Sequence, residues 1–126
     1  MKLEILITLF FCHFLADYTH LSTSWMLNAK KFGKPLYPIF FHALIHSVLM
    51  LLSLAMIFGI YGDKLMFLFF IQLFCHFSID VWKGKMNYFF PLLQSPANKW
   101  HWIIFGFDQF LHSFVIILMY QYAISI

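Results

Sequence analysis

Four pairs of ionisable side chains recur at one spacing in this chain: His13/Asp17, His42/His46, His76/Asp80 and Asp108/His112. Residues four apart share one face of a helix, with Cβ atoms about 6 Å apart. The chain's His and Asp content would give about one such pair by chance, against the four observed. Imidazole and carboxylate together are ligands for divalent transition metals. The set His13, Asp17, His42, His46, His76, Asp80, Asp108 and His112 suits one or two ions of Zn, Fe, Mn or Ni. Asp17, Asp80 and Asp108 are also candidate catalytic groups, because a carboxylate beside a metal can move a proton.

Further residues extend this set. His20 follows His13 by seven positions and His101 precedes Asp108 by seven, so each stays on the ligand face if its helix reaches that far. Either would serve as a proton shuttle or as an interfacial histidine. Gln109, beside Asp108, can orient a ligand or a water. Lys83, three beyond Asp80, and Lys99 can meet an anionic group, the ordinary alternative for Lys83 being a snorkelling anchor. Glu4 and Asp63 fall toward the other end of the spans and are expected to be solvated. Cys12 and Cys75 occupy equivalent positions about 100° around the helix from the neighbouring histidines, which points to packing.

The elements that must carry these groups are apolar. Hydrophobic residues make up 63% and charged residues 10% of the chain, where soluble domains average about 25% charged. That is too little polar surface to cover a water-soluble core, so an all-α, polytopic membrane protein is expected. Apolar runs at 3–16, 39–60, 65–81 and 102–126 give four spans, and without water the backbone of each must close its own hydrogen bonds as a helix. The first run lacks a convincing small-x-small cleavage site and is expected to be retained rather than removed as a signal peptide. FCHFLAD at 11–17 returns as FCHFSID at 74–80, with five of seven residues identical. The chain therefore reads as one domain of two helical hairpins, about 1–62 and 63–126, related as a pseudo-twofold repeat. Long loops at 19–38 and 82–101 join the helices of each hairpin. Residues 24–31 are expected to form a short interfacial helix capped by Ser22, Thr23 or Ser24.

All eight basic residues are Lys, and six of them, Lys30, Lys31, Lys34, Lys83, Lys85 and Lys99, fall in the two long loops. The positive-inside rule places both loops in the cytoplasm and both termini on the opposite face. No aromatic-basic signature accompanies these lysines, so nucleic acid is not an expected partner; membrane lipid is, as are further copies of the chain in a homo-oligomer. Helices one and three then run parallel, as in a parallel repeat. The ionisable pairs sit late in helices one and three and early in two and four, so all four fall at one level near the cytoplasmic side. An intramembrane Asp costs roughly 2.5–3.5 kcal/mol even on the lenient insertion scale. Three of them demand compensation that neutral histidines do not give and divalent cations do. Interhelical Asp–His hydrogen bonds acting as polar glue are the simpler account of any single pair; four pairs at one level favour a metal site.

The set HFLAD, HALIH, HFSIDVWK and DQFLH resembles a family of small bacterial integral membrane proteins known as domain of unknown function 3307. The resemblance covers about residues 9–120 and is carried by His13, Asp17, His42, His46, His76, Asp80, Lys83, Asp108, Gln109 and His112. The family is expected to have a Gln shortly after the first Asp; here DYTHLSTS has none, and His20 or Ser22 stands nearby instead. The resemblance implies the bacterial inner membrane and no established activity. More remotely, the pattern is similar to predicted membrane-bound metal-dependent hydrolases. The leading expectation is thus a metal-dependent hydrolase acting on a lipid-linked or anionic substrate at the cytoplasmic interface. A diiron or haem redox protein is the second reading, although HxxHH boxes and site glutamates are lacking. Metal-ion or proton transport is the third, against which the pairs gather at one level rather than along the span.

Overall fold

The computed structural model describes residues 2–125, and among them every regular element is helical. Helix α1 spans Lys2–Tyr18, α2 Ser24–Phe32, α3 Leu36–Phe58, α4 Gly62–Phe89 and α5 Lys99–Ile124, with a 3-10 turn at Pro91–Gln94 before α5. The helix ends follow local chemistry. Thr23 caps α2, its side chain accepting the Met26 N–H at 3.3 Å, and Gly33 ends it in the left-handed region at φ 69°. Gly59 ends α3 in the same way at φ 66°. Asn98 caps α5 by accepting the Trp100 N–H at 2.9 Å.

Helices α3, α4 and α5, of 23, 28 and 26 residues, are long and apolar enough to cross a membrane. Helix α1 has 17 residues, about 25 Å at 1.5 Å per residue, against a hydrocarbon core of about 30 Å. Among the described residues three helices are thus of spanning length, where the sequence predicts four spans. Large apolar side chains on the outer faces are exposed, among them Phe11, Phe14, Phe70, Phe74, Phe110 and Phe114, as lipid-facing side chains would be.

Helix α1 packs between α3 and α5, and α4 packs between the same two. The four long helices therefore form a ring with α1 across from α4 and α3 across from α5. The ring is divided by height. At one end Ile5, Leu9, Met50, Leu54, Leu65, Leu68, Ile116 and Met119 form an apolar core. Cys12 belongs to this core, with its Sγ 3.2 Å from Ser53 Oγ, while Cys75 is half-buried. At the other end lie the buried polar residues.

The predicted short helix at 24–31 is present as α2, with Thr23 as its cap. Two elements differ from expectation. The predicted 82–101 loop is shorter, because α4 continues through Trp82, Lys83 and Gly84 to Phe89. Gly84 is helical and serves a contact rather than a break: a Cβ there would lie 2.5 Å from Gly33 Cα and 2.6 Å from the Lys30 carbonyl oxygen. Two glycines thus let α2 lie backbone against backbone on α4. The second difference is α1, which stops at Tyr18 as Thr19 Oγ1 hydrogen-bonds back to the Leu15 carbonyl. A turn follows, closed by the Ser22 N–H to the Thr19 carbonyl at 3.0 Å.

Candidate metal centre

Helix periodicity brings the eight sequence-predicted ligands to the ring interior, because residues four apart share one face of a helix and in each helix that face is the buried one, turned away from the exposed phenylalanines. His42, His46, His76, Asp80, Asp108 and His112 are buried to 3% exposure or less. Asp17 is the hub of one side. Its Oδ1 lies 2.9 Å from both His42 Nε2 and His46 Nε2, and its Oδ2 lies 3.2 Å from His13 Nε2. Asp80 is the hub of the other side. Its Oδ1 lies 3.2 Å from His112 Nε2, and its Oδ2 lies 3.2 Å from His76 Nε2. Asp108 Oδ1 faces His112 Nε2 at 3.4 Å. The imidazoles stack across the axis, His46 on His76 at 3.7 Å and His76 on His112 at 4.2 Å between ring centres.

Two groups gather potential ligand atoms within 4.8 Å of one another: Asp17, His42, His46 and His76, and then His76, Asp80 and His112. Either could hold a metal ion. An ion bound tetrahedrally at 2.0–2.1 Å separates its ligand atoms by about 3.4 Å, close to the spacings found here. Unmet hydrogen bonding fits a cation as well. His76 Nε2 and Asp80 Oδ2 are buried and lack hydrogen-bond partners although they face each other at 3.2 Å, and Asp108 Oδ1 is likewise unpartnered. Buried polar groups are nearly always satisfied, and a shared cation satisfies two opposed lone pairs at once. Gln72 Nε2 lies 3.4 Å from His76 Nδ1. With its amide turned over, Gln72 would accept Nδ1–H and leave Nε2 as the ligating lone pair.

Lys30, a loop charge by composition, also reaches the cluster, which periodicity among His and Asp does not reveal. Lys30 Nζ reaches to 3.2 Å from His42 Nε2 and 3.7 Å from both Asp17 Oδ1 and Asp80 Oδ2. Burial pulls its ammonium pKa down, but Asp80 and then Asp17 outweigh burial and leave it raised above the ordinary lysine value. Met26, Ala29 and Lys30 lie on one face of α2, which packs against α4 and α3, so the lysine is delivered by the buried side of the helix.

Above the carboxylates opens a pocket of about 260 Å³, lined by Asp17, Tyr18, Leu27, Lys30, Lys31, Asp80, Lys83, Asn87, Phe105, Asp108 and Gln109. Lys83 Nζ is 3.5 Å from Asp108 Oδ2. Gln109 Nε2 donates to the same oxygen at 3.0 Å, and Tyr18 OH donates to Gln109 Oε1 at 3.5 Å. Lys83 and Gln109 thus stand where the sequence places them. Three others do not join the site. His20 is exposed beyond the end of α1, so the seven-residue spacing from His13 no longer keeps it on the ligand face. His101 Nδ1 lies 2.6 Å from the Leu93 carbonyl and ties α5 to the 3-10 turn. Lys99 is exposed at the start of α5 and does not line the pocket.

The model of a family described as "Protein of unknown function (DUF3307)" matches residues 5–126. Comparison with curated proteins and with solved structures gives no match.

Proposed function

The chain belongs to this DUF3307 family of proteins of unknown function, and we propose that it is a membrane-embedded, metal-dependent hydrolase acting on a lipid-linked or anionic substrate. The observation that carries this reading is the meeting of the eight His and Asp side chains directly beneath a lysine-lined pocket. Asp17, His42, His46 and His76 would hold one ion, and His76, Asp80 and His112 offer a second place. A divalent ion there supplies Lewis acidity, which acidifies water and polarises a phosphoryl or acyl oxygen.

The chain's own groups do the rest. Asp108 belongs to neither ligand group and lines the pocket, with Oδ2 held by Gln109 and Lys83. Its unpartnered Oδ1 is the atom to take a proton from the attacking water and return it to the leaving group. His112, 3.4 Å away, can relay that proton. The apolar core beneath excludes water from the far side. This division also speaks against transport, since among the described residues the core offers no polar path through the bundle.

In this reading α1 is a fourth span, short enough to thin the bilayer locally or to tilt little. The pocket, α2 and the six lysines Lys30, Lys31, Lys34, Lys83, Lys85 and Lys99 face the cytoplasm by the positive-inside rule, and the two hairpins form the pseudo-twofold pair. The test is elemental analysis of purified protein, followed by hydrolysis assays on phosphate and acyl esters in detergent. Asp108→Asn should keep the metal and lose turnover on the order of 10²–10⁴-fold. Protein that holds no metal at stoichiometric level, and whose His76→Ala variant keeps full activity, would refute the proposal.

A further inference from the structure

The pocket charges balance in an informative way. Its lining carries three carboxylates, Asp17, Asp80 and Asp108, and three ammonium groups, Lys30, Lys31 and Lys83. These cancel, so the lining side chains by themselves carry no surplus charge for an anion. Each divalent ion in the histidine–aspartate layer adds two positive charges. The ion also takes over the Asp17 or Asp80 charge that now engages Lys30 from 3.7 Å. Lys31 has no carboxylate partner among the described residues, and its side chain is held only over the Phe32 ring at 5.4 Å. Lys83 touches Asp108 at ion-pair distance and lies 4.7 Å from the Phe105 ring centre.

Resting on the metal-centre reading above, we propose that this pocket is a phosphate site formed by metal loading, recognising a phosphomonoester dianion through Lys31 and Lys83. A phosphomonoester carries about −1.5 to −2 charge at pH 7 and three acceptor oxygens, which matches one divalent ion's surplus and the lysine donors. Lysine serves such groups as a point charge. The volume of about 260 Å³ is roughly nine water molecules' share of liquid. It takes a phosphoryl headgroup and leaves any acyl chain outside, past the apolar rim of Leu27 and Phe105. The phosphate can be free or carried on a lipid; the chemistry recognised is the same.

Because binding linkage is reciprocal, phosphate must tighten metal binding by the factor by which metal tightens phosphate. The test uses the full chain in nanodiscs titrated with Co²⁺, followed by its visible absorption, and then desalted for ³¹P NMR. With phosphatidylcholine discs, inorganic phosphate should tighten Co²⁺ binding by at least about fivefold, and its ³¹P line should broaden. Discs containing phosphatidic acid should show the same tightening without added phosphate if the lipid headgroup is the ligand; tightening by inorganic phosphate alone identifies the free anion, and either result supports the site. Lys31→Met, at an exposed position that leaves the ligands untouched, and Lys31→Met/Lys83→Met should keep Co²⁺ stoichiometry and lose the tightening and the broadening. Stoichiometric Co²⁺ whose affinity neither phosphate source changes, or lysine variants that keep the coupling, would overturn the phosphate site and leave the metal centre standing. A chain that binds no Co²⁺ would remove the metal centre and the phosphate site together.

Discussion

Replacing Lys30 with Met keeps the length and most of the apolar stem but removes the cation from between two buried aspartates. Each Nζ–carboxylate separation is 3.7 Å, with the lysine side chain 19% exposed and Asp80 1% exposed. At an effective dielectric near 20, each contact corresponds to about 4.5 kcal/mol of gross attraction. Desolvation takes back much of this, and stripping one partner from a buried ion pair costs about 3–5 kcal/mol net. In EDTA, Lys30→Met should therefore lower the melting temperature by about 10 °C or more. With saturating metal the loss should shrink to about 1 kcal/mol or less, because the ion then neutralises the same carboxylates. Unfolding can be followed by maleimide labelling of buried Cys12 in a Cys75→Ser background. The raised pKa of Lys30 means its stabilising charge is fully present below the unfolded lysine value of about 10.4. That contribution is lost only as pH climbs through the higher folded value. The wild-type advantage over Lys30→Met should thus be level from pH 7 to about 10. Equal melting of the two proteins in EDTA would refute the placement of Lys30 between the aspartates.

Three further outcomes follow from the geometry. Gly84→Ala places a methyl 2.5 Å from Gly33 Cα, so α2 must retreat by about 1 Å to restore ordinary contact; a loss of about 1–3 kcal/mol is expected, measured by the same labelling assay. A Lys30→Met/Gly84→Ala double variant should lose less than the sum of the two, since both act on the placement of one ammonium. Gln72→Leu removes the side-chain partner that His76 Nδ1 has among the described residues and should weaken metal affinity by about 10-fold or more, read by competition with a chromophoric chelator.

The sequence was most legible where polarity was most costly. Ionisable groups spaced by four in apolar runs had to share a face and find partners, so the eight members of the cluster were readable without coordinates. Lys30 was not, because counting loop lysines for topology treats each as a solvated charge. A signal was nonetheless present: Met26, Ala29, Lys30 and Gly33 follow the spacing of a buried helical stripe, and a lysine in that stripe points inward. The end of α4 was misjudged for a related reason. Trp82, Lys83, Gly84 and Lys85 look like a loop by composition, whereas the glycine answers to a helix crossing it from a distant part of the chain. His20 and His101 show the limit of periodicity: seven residues keep a face only while the helix persists and the side chain has no nearer acceptor.

His76 belongs to both ligand groups, which makes them rivals for one imidazole. Filling the place with Asp17, His42 and His46 at the expense of His76 leaves only Asp80 and His112 for a second ion, and two ligands hold a divalent metal weakly. Filling the Asp80 side first leaves Asp17, His42 and His46, a three-ligand set with an open position of the kind catalytic zinc sites use. The two places therefore compete for His76, and each could hold an ion with three ligands only if His76 serves the Asp80 side. The bundle's metal titration should show negative cooperativity, one tight ion and one weak, with the ratio of metal to protein set by supply.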